Sequence, residues 1–522
     1  MRRLWLGVLV ATGVAAAALA PTAPPTGSQS EPAYRPVSSA VLACPAQTGA
    51  GGAFNVLQAM VAGPAEGYGT ALLRPVAAAS DLVRLDAPGE PVALGAVGRS
   101  QPPIMMQADG SWAPSAFAGI AARQVDEGPS QGLSSAACPA PGPVWWFVGA
   151  GSQLGRGAAL FVSNAADEPA RFDISMYSGA GPVQALAGKG IDLGPRSAVR
   201  LRLDALAPDE DLLAIEVRAT NGRVTAALRD VAVASSDRAR GVDFIPPAQE
   251  PGTRLVIAGI PAGDGARDVI LVNPGTQFAT VTPRLLTEDG PVAVEGLAAI
   301  AVPAGAVIRV DLRRVLDGRA GTLDLTSDVP VTGGARAEWG GTTRDVLWLA
   351  AVPLIGGPDP LGGAAGVPSG PGLVTTVVVA APDGPVAGTL TVTTTASDEA
   401  AALSGRAEAL PTDRDRGSGK AGSADLPEVL LPGQSTSTET IPVNVPAGSQ
   451  LIGQIRASDA DAVVGLTTLS WRSDPDSGPA AVTHQVLDES VPLATGYPWW
   501  PIASSVTAVP VREDLGVLAP AR

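Results

Sequence analysis

The chain has 522 residues, a formal net charge of -15 and a pI near 4.6, with 35 Lys and Arg against 50 Asp and Glu. A phosphate-binding surface needs clustered Lys and Arg to displace counterions, and no such cluster appears, so nucleic acid is excluded as a partner. Gly 62 and Pro 49, set among Ala- and Val-rich stretches, disfavour helix interiors and point to short strands joined by turns, in a chain long enough for roughly three to five domains.

The chain opens with Arg2-Arg3, an apolar run over residues 4–20 and then "PTAPPTGSQSEP", the n-region and h-region of a secretory signal. Ala18-Leu19-Ala20 offers a cleavage site, but Pro21 in the first mature position disfavours cleavage. Two outcomes stay open, a cleaved signal peptide or an uncleaved signal anchor. As a helix the run would extend roughly 25 Å at 1.5 Å per residue, enough for a thin bilayer. The arginines would hold the N-terminus in the cytoplasm, so the rest of the chain is expected outside it, secreted or anchored to the cell membrane. Residues 21–36 read as a Pro-rich linker. Cys44 in "LACPA" and Cys138 in "AACPA" are the only cysteines, and in an exported chain they are expected to form a disulfide around the first module.

"LFVSNAADEPA" at Leu160 and "ILVNPGTQFA" at Ile270 open a repeat. Asn164 and Asn273, Gly181 and Gly290, Ile191 and Ile300, and Arg200 and Arg309 all share one offset of 109 residues. "VTAALR" at Val224 and "VTGGAR" at Val331 continue it at offset 107, which makes the repeat a whole domain in length. "VRLRLD" sets Val199, Leu201 and Leu203 on one face and Arg200, Arg202 and Asp204 on the other, the alternation of a half-buried strand. Asn221-Gly222 in "ATNGRV" predicts a hairpin between two strands. In the later copy "VLLPGQ" at Val429 is set against "AIAVPAG" at Ala299, and Trp471 against Trp339.

The expected architecture is all-β: tandem immunoglobulin-like β-sandwich modules, three clear and one degenerate, after an N-terminal signal or signal anchor. The boundaries are 1–33 for signal and linker, 34–143 for the degenerate module, then 144–250, 251–355 and 356–500, with a 501–522 tail. The last module carries an insertion near 397–425, in which "PTDRDRGSGKAGSAD" is low-complexity and expected to be disordered.

The order "WWFVGAG…GRGAALFVSNAADEPA…GPV…R" resembles an actinobacterial family of secreted or membrane-anchored proteins catalogued only as a domain of unknown function. The resemblance runs from about Cys44 to Trp500 and implies no activity and no catalytic residue.

The motifs that suggest chemistry lack its context. "GPSQG" at Gly128 fits G-x-S-x-G, but no helix pattern follows and the only histidine, His484, is distant in sequence, so a surface turn is expected. His484 itself reads as a solvated or hydrogen-bonded strand residue. "GSGKAG" at Gly417 lacks the first glycine and the Ser or Thr of a phosphate loop. "DRDRG" at Asp413 and "DPDSG" at Asp474 start like calcium loops but hold Ala424 and Gln485 where the closing Glu belongs. No metal and no cofactor is expected. The doublets Trp145-Trp146 and Trp499-Trp500 at module edges are the candidate binding residues, with a seal between modules favoured over an exposed platform. The expected function is that of a non-catalytic cell-envelope scaffold or protein-binding module, accessory to membrane-bound envelope assembly, with an envelope protein as partner. The alternative is an envelope carbohydrate-binding protein, and contact with the membrane is expected through the N-terminal segment alone.

Overall fold

The computed structural model describes residues 33–47, 54–63, 67–78, 81–97, 100–126, 128, 130–235, 238–292, 294, 297–339, 345–356, 361–370, 372–396, 428–430, 435–456, 465–489, 491–502 and 505–508. The N-terminal run over residues 4–20, the sequence around Asp413 and Gly417, and the insertion at 397–425 lie outside the described residues. Among the described residues no helix is long and apolar enough to cross a membrane.

The chain is nearly all β, and its antiparallel sheets form four sandwiches. In the second module one sheet runs Val144–Ala150, Leu213–Asn221, Ala170–Ser178, Gly181–Val183, and the other runs Ser197–Arg202, Ala159–Asn164, Thr225–Ser235, Arg238–Ile245. The third repeats this order with Gly252–Ile260 paired to Gly321–Trp339 and that to Ala279–Thr287, and with Val307–Asp311, Arg267–Val272 and Asp345–Ala350 in the opposing layer. The fourth does so with Leu361–Ser369, Gly465–Ser473, Val386–Ala396 and Ser435–Val445 over Gln450–Arg456, Leu373–Ala380, Ala481–Asp488 and Leu493–Pro498. The module read as degenerate keeps the same order: Ser39–Cys44, Ile104–Gly110, Gly69–Pro75, Val83–Leu85 over Val92–Val97, Phe54–Val61, Ala116–Gln124, Gly132–Ala137. The immunoglobulin comparison holds only at the level of a two-sheet antiparallel sandwich.

Several expectations change. Asn221-Gly222 makes no hairpin: the strands beside it lie in different sheets, and Gly222, at φ +70°, turns the chain from one layer to the other. In the third module, which has Val329-Pro330 in the corresponding stretch, Gly321–Trp339 crosses between layers as one unbroken strand. Trp339 ends that strand in the layer holding Arg267–Val272, whereas Trp471 lies on Gly465–Ser473 in the opposite layer, so the two do not occupy matching places. The true counterpart of "AVPAG" at Ala301 is "NVPAG" at Asn444, since Gly305 and Gly448 make the same positive-φ turn. Val429 instead belongs to Glu428–Leu430, an added strand on the edge of Val92–Val97 in the first module.

The four sandwiches close into one compact unit, Val37–Ser504. The second core takes in Ile270, Val346 and Trp348 of the third module. Val256 and Ala258 of the third pack on Ala380 and Ala481 of the fourth, and Leu361 and Ala365 of the fourth on Met60 and Phe117 of the first. The circuit is completed by Ala43, Val76 and Met105 of the first module against Ala165 of the second. Bulges in the first strands bring the backbones close at these joints. At Gly149 (φ +119°) a Cβ would lie 2.3 Å from the Trp348 ring, and at Gly366 (φ +74°) 2.8 Å from the Gly119 carbonyl oxygen, so neither position admits a side chain. A second unit, described by itself, pairs Ala33–Pro36 with Ser505–Ala508. Ala33–Pro36, which the composition assigned to linker and module edge, is therefore a strand.

Candidate functional site

Each sandwich ends on an edge strand, and an edge strand presents a row of unpaired backbone N–H groups. Those facing outward recur at every second residue. The four last strands, Gly132–Ala137, Arg238–Ile245, Asp345–Ala350 and Leu493–Pro498, meet at the middle of the ring, where water cannot satisfy such groups. Two aspartates do so instead. Asp345 Oδ1 accepts from the backbone N–H of Val242 (3.0 Å) and Val346 (2.9 Å), and Oδ2 accepts from Leu133 (2.8 Å) and Ala494 (3.1 Å). One carboxylate is thus bonded to all four modules. Asp243 repeats the arrangement: Ser135 N–H (3.3 Å), Phe244 N–H (2.8 Å) and Thr495 Oγ1 (2.8 Å) donate to Oδ1, and Trp348 N–H (3.3 Å) donates to Oδ2. The donors in three of the strands step by two residues, Leu133 to Ser135, Val242 to Phe244 and Val346 to Trp348. That sets the two layers about 7 Å apart along the strands.

Both side chains are fully buried, and burial governs their protonation. Burial pushes the Asp345 carboxyl up to about 7, against the four N–H groups that pull it down. Asp243 is raised well above the carboxylate range by burial, with the charge of Asp345 adding to the rise and the Thr495 hydroxyl and backbone N–H groups opposing it. The Ser135 and Thr495 hydroxyls lie 2.9 Å apart and join the first module to the fourth beside Asp243. The hub has the chemistry of a clasp: its acceptors are filled by backbone donors from every module.

Charged pairs strengthen the joints farther out. Arg123 of the first module meets the buried Asp488 of the fourth at 2.5 Å, and Arg309 of the third meets Asp211 of the second at 3.5 Å. Arg254 and Arg284 converge on Asp324 within the third module, and Arg254 also reaches Asp383 of the fourth at 2.7 Å.

The residues singled out by sequence sit elsewhere. Cys44 and Cys138 are disulfide-bonded, with their Cα atoms 4.3 Å apart, one ending the first strand of the first module and the other following its last. Trp146 is buried in the second core and stacks on Tyr177, and Trp499 is buried in the fourth, where its Nε1 donates to His484 Nδ1 at 2.9 Å. Trp145 donates to the Val224 carbonyl at 2.8 Å and is half-buried, as is Trp500. No ring of the doublets stands clear as an exposed platform. Of the two readings of His484 the hydrogen-bonded strand residue holds, buried rather than solvated, and burial lowers its pKa to about 4. Ser130 of the G-x-S-x-G sequence precedes a strand, Gly132–Ala137, with no helix between. Asp474 and Asp476 line an open cleft of about 690 Å³, and no group of three or more metal-ligating side chains occurs among the described residues.

Asn164 and Asn273 make the same turn. Asn164 Oδ1 accepts from Ala166 N–H at 3.0 Å, and its amide donates to the carbonyls of Glu168 (2.7 Å) and Gly194 (2.9 Å). Asn273 bonds Gly275 N–H (3.0 Å) and the carbonyls of Gln277 (2.6 Å) and Val302 (3.1 Å). Both are structural residues that tie the end of a strand to two flanking loops.

The model described as "Family of unknown function (DUF5719)" matches residues 92–408. The chain belongs to that family. The DUF5719 match opens on the outer edge of the first module, crosses the second and third, and so spans both axial aspartates. Comparison with curated proteins finds no match. A solved structure entitled "Crystal Structure of Thermotoga maritima 1070" is similar over 20% of this chain and 95% of its own, at 15% identity and a TM-score of 0.18, too slight a likeness to carry an argument.

Proposed function

We propose that this DUF5719 protein is a non-catalytic scaffold of the cell envelope, exported behind its N-terminal signal or anchor, that binds an envelope protein through its outer surface. The observation that carries the reading is the bonding of each axial carboxylate to all four modules. Such a clasp fixes the relative positions of four sandwiches, and a fixed multi-module surface suits holding partners in register. The two fully buried axial carboxyl groups are spent on that clasp rather than turned toward a cleft.

A test compares native complexes from envelope fractions of cells carrying the wild-type chain or its Asp345→Ala variant. The reading expects the wild type in a complex larger than the monomer and the variant released from it. A freely secreted monomer would contradict it.

The carbohydrate alternative keeps one supporting observation, on a different tryptophan. A cleft of about 490 Å³ is lined by the half-buried Trp339 beside Asp264, Glu338 and Glu489, an indole with carboxylates that suits a sugar face. Binding of envelope glycan fragments that is lost in Trp339→Ala would favour this alternative.

A further inference from the structure

The four modules share an outer edge strand in the layer that ends at the hub: Val92–Val97, Ser197–Arg202, Val307–Asp311 and Gln450–Arg456. Three of these carry exposed arginines, Arg200 and Arg202 in the second module, Arg309 in the third and Arg456 in the fourth. Charge on an edge strand opposes pairing with another copy, because an antiparallel partner would bring like charges together. The first module's edge, "VALGAV", has no charged residue. It is also the edge that carries an added strand: Glu428–Leu430 pairs antiparallel with it, in the register Glu428 with Gly95, Val429 with Leu94 and Leu430 with Ala93. On the other three outer edges no such added strand occurs among the described residues.

We propose that Glu428–Leu430 is a built-in cover, and that the edge beneath it is a self-association surface whose occupant, once the cover lifts, is the same edge of a second copy of this chain. The covering strand comes from the fourth module, between Val386–Ala396 and Ser435–Val445, where the second and third modules have only short turns at Gly179-Ala180 and Glu288-Asp289. A three-residue ladder opens locally far more readily than the sandwich unfolds. The exposed edge is uncharged and antiparallel pairing is self-complementary, so two copies meet about a two-fold axis with the same residues on both sides. The inference is independent of any envelope partner.

The test replaces Glu428, Val429 and Leu430 by Gly, Ser and Gly, which keeps the chain length and leaves the ring residues untouched. Hydrogen exchange of the 92–97 amides and molar mass by light scattering are then read across a concentration series. The wild type is expected to be a monomer with slow exchange at 92–97. The variant is expected to exchange faster there when dilute and to dimerise as concentration rises. Adding Ala93→Lys to the variant should return it to a monomer by placing a charge on the edge. Unchanged exchange at 92–97 would show that the segment covers nothing, and a variant that exchanges fast yet stays monomeric would overturn the self-association surface. A dimeric wild type would also refute the proposal.

Discussion

Replacing Asp345 by Asn changes one atom at the centre of the ring and separates hydrogen bonding from charge. In the wild type each carboxylate oxygen takes two backbone N–H groups, Val242 and Val346 on one, Leu133 and Ala494 on the other. Asparagine keeps one oxygen and turns an NH2 toward two donors that have no other acceptor. A buried orphan donor costs about 1–3 kcal/mol, so two cost about 2–6 kcal/mol, offset in part because a buried charge is removed. Asp345→Ala orphans all four donors and should cost more than Asn, about 4 kcal/mol or above. Urea unfolding at pH 7, followed by tryptophan fluorescence, orders the three proteins. The expected order of stability is wild type, Asn, Ala. An Asn variant as stable as the wild type, or more so, would mean that relief of the buried charge outweighs the lost acceptors, and the hub would then be no clasp.

Two buried groups pull the pH dependence of stability in opposite directions between about pH 4 and 6.5. The Asp345 carboxyl is raised to about 7 from 3.8, so between those values the folded state holds the proton more tightly, and stability falls as pH rises toward 7. His484, lowered to about 4 from 6.5, is kept neutral by the fold, so stability also falls as pH drops from 6.5 toward 4. Unfolding free energies across pH 4–8 check the balance: with the Asp345 contribution removed, Asp345→Asn should make stability rise more steeply with pH between 4 and 6.5. Asn164→Ala and Asn273→Ala should each cost about 2–3 kcal/mol, because each removes three bonds at a buried site. Thermal melts check this, and a loss below about 0.5 kcal/mol in either would contradict the shared turn. Reducing Cys44–Cys138, which spans 94 residues, should cost roughly 4–5 kcal/mol in the chain-entropy account. Denaturation with and without reductant measures it.

What was legible in the sequence is what depends on neighbours along the chain. Alternation in "VRLRLD" gave a strand as far as Arg202, beyond which Leu203–Leu206 is a helical turn, the shared offset of Asn164 and Asn273 gave the repeat, and two cysteines at either end of a module-length segment gave the bridge. What was not legible depends on closure of the ring. Asn221-Gly222 is a hairpin signal only if the flanking strands lie in one sheet, and the core placed them in two. Trp339 and Trp471 were set against each other by sequence, but Trp471 lies on the counterpart of the first half of Gly321–Trp339 and Trp339 ends the second half, in the opposite layer. The axial aspartates left a faint signal, one acid beside a short apolar run in "GVDFIPP" and in "DVLWLAAV". A lone Asp there reads as a solvated strand residue until three other modules are known to converge on it.

The central claim is that the first and fourth modules meet at the hub and close the ring. Ser135→Cys with Thr495→Cys tests it most directly, since the two hydroxyls are 2.9 Å apart across that seam. Mild oxidation of the folded double variant should link the two cysteines, giving a non-reduced peptide that joins Gly132–Ala137 to Leu493–Pro498 while Cys44–Cys138 stays intact. Two free thiols at 135 and 495 in the folded protein would show that the ring is open there.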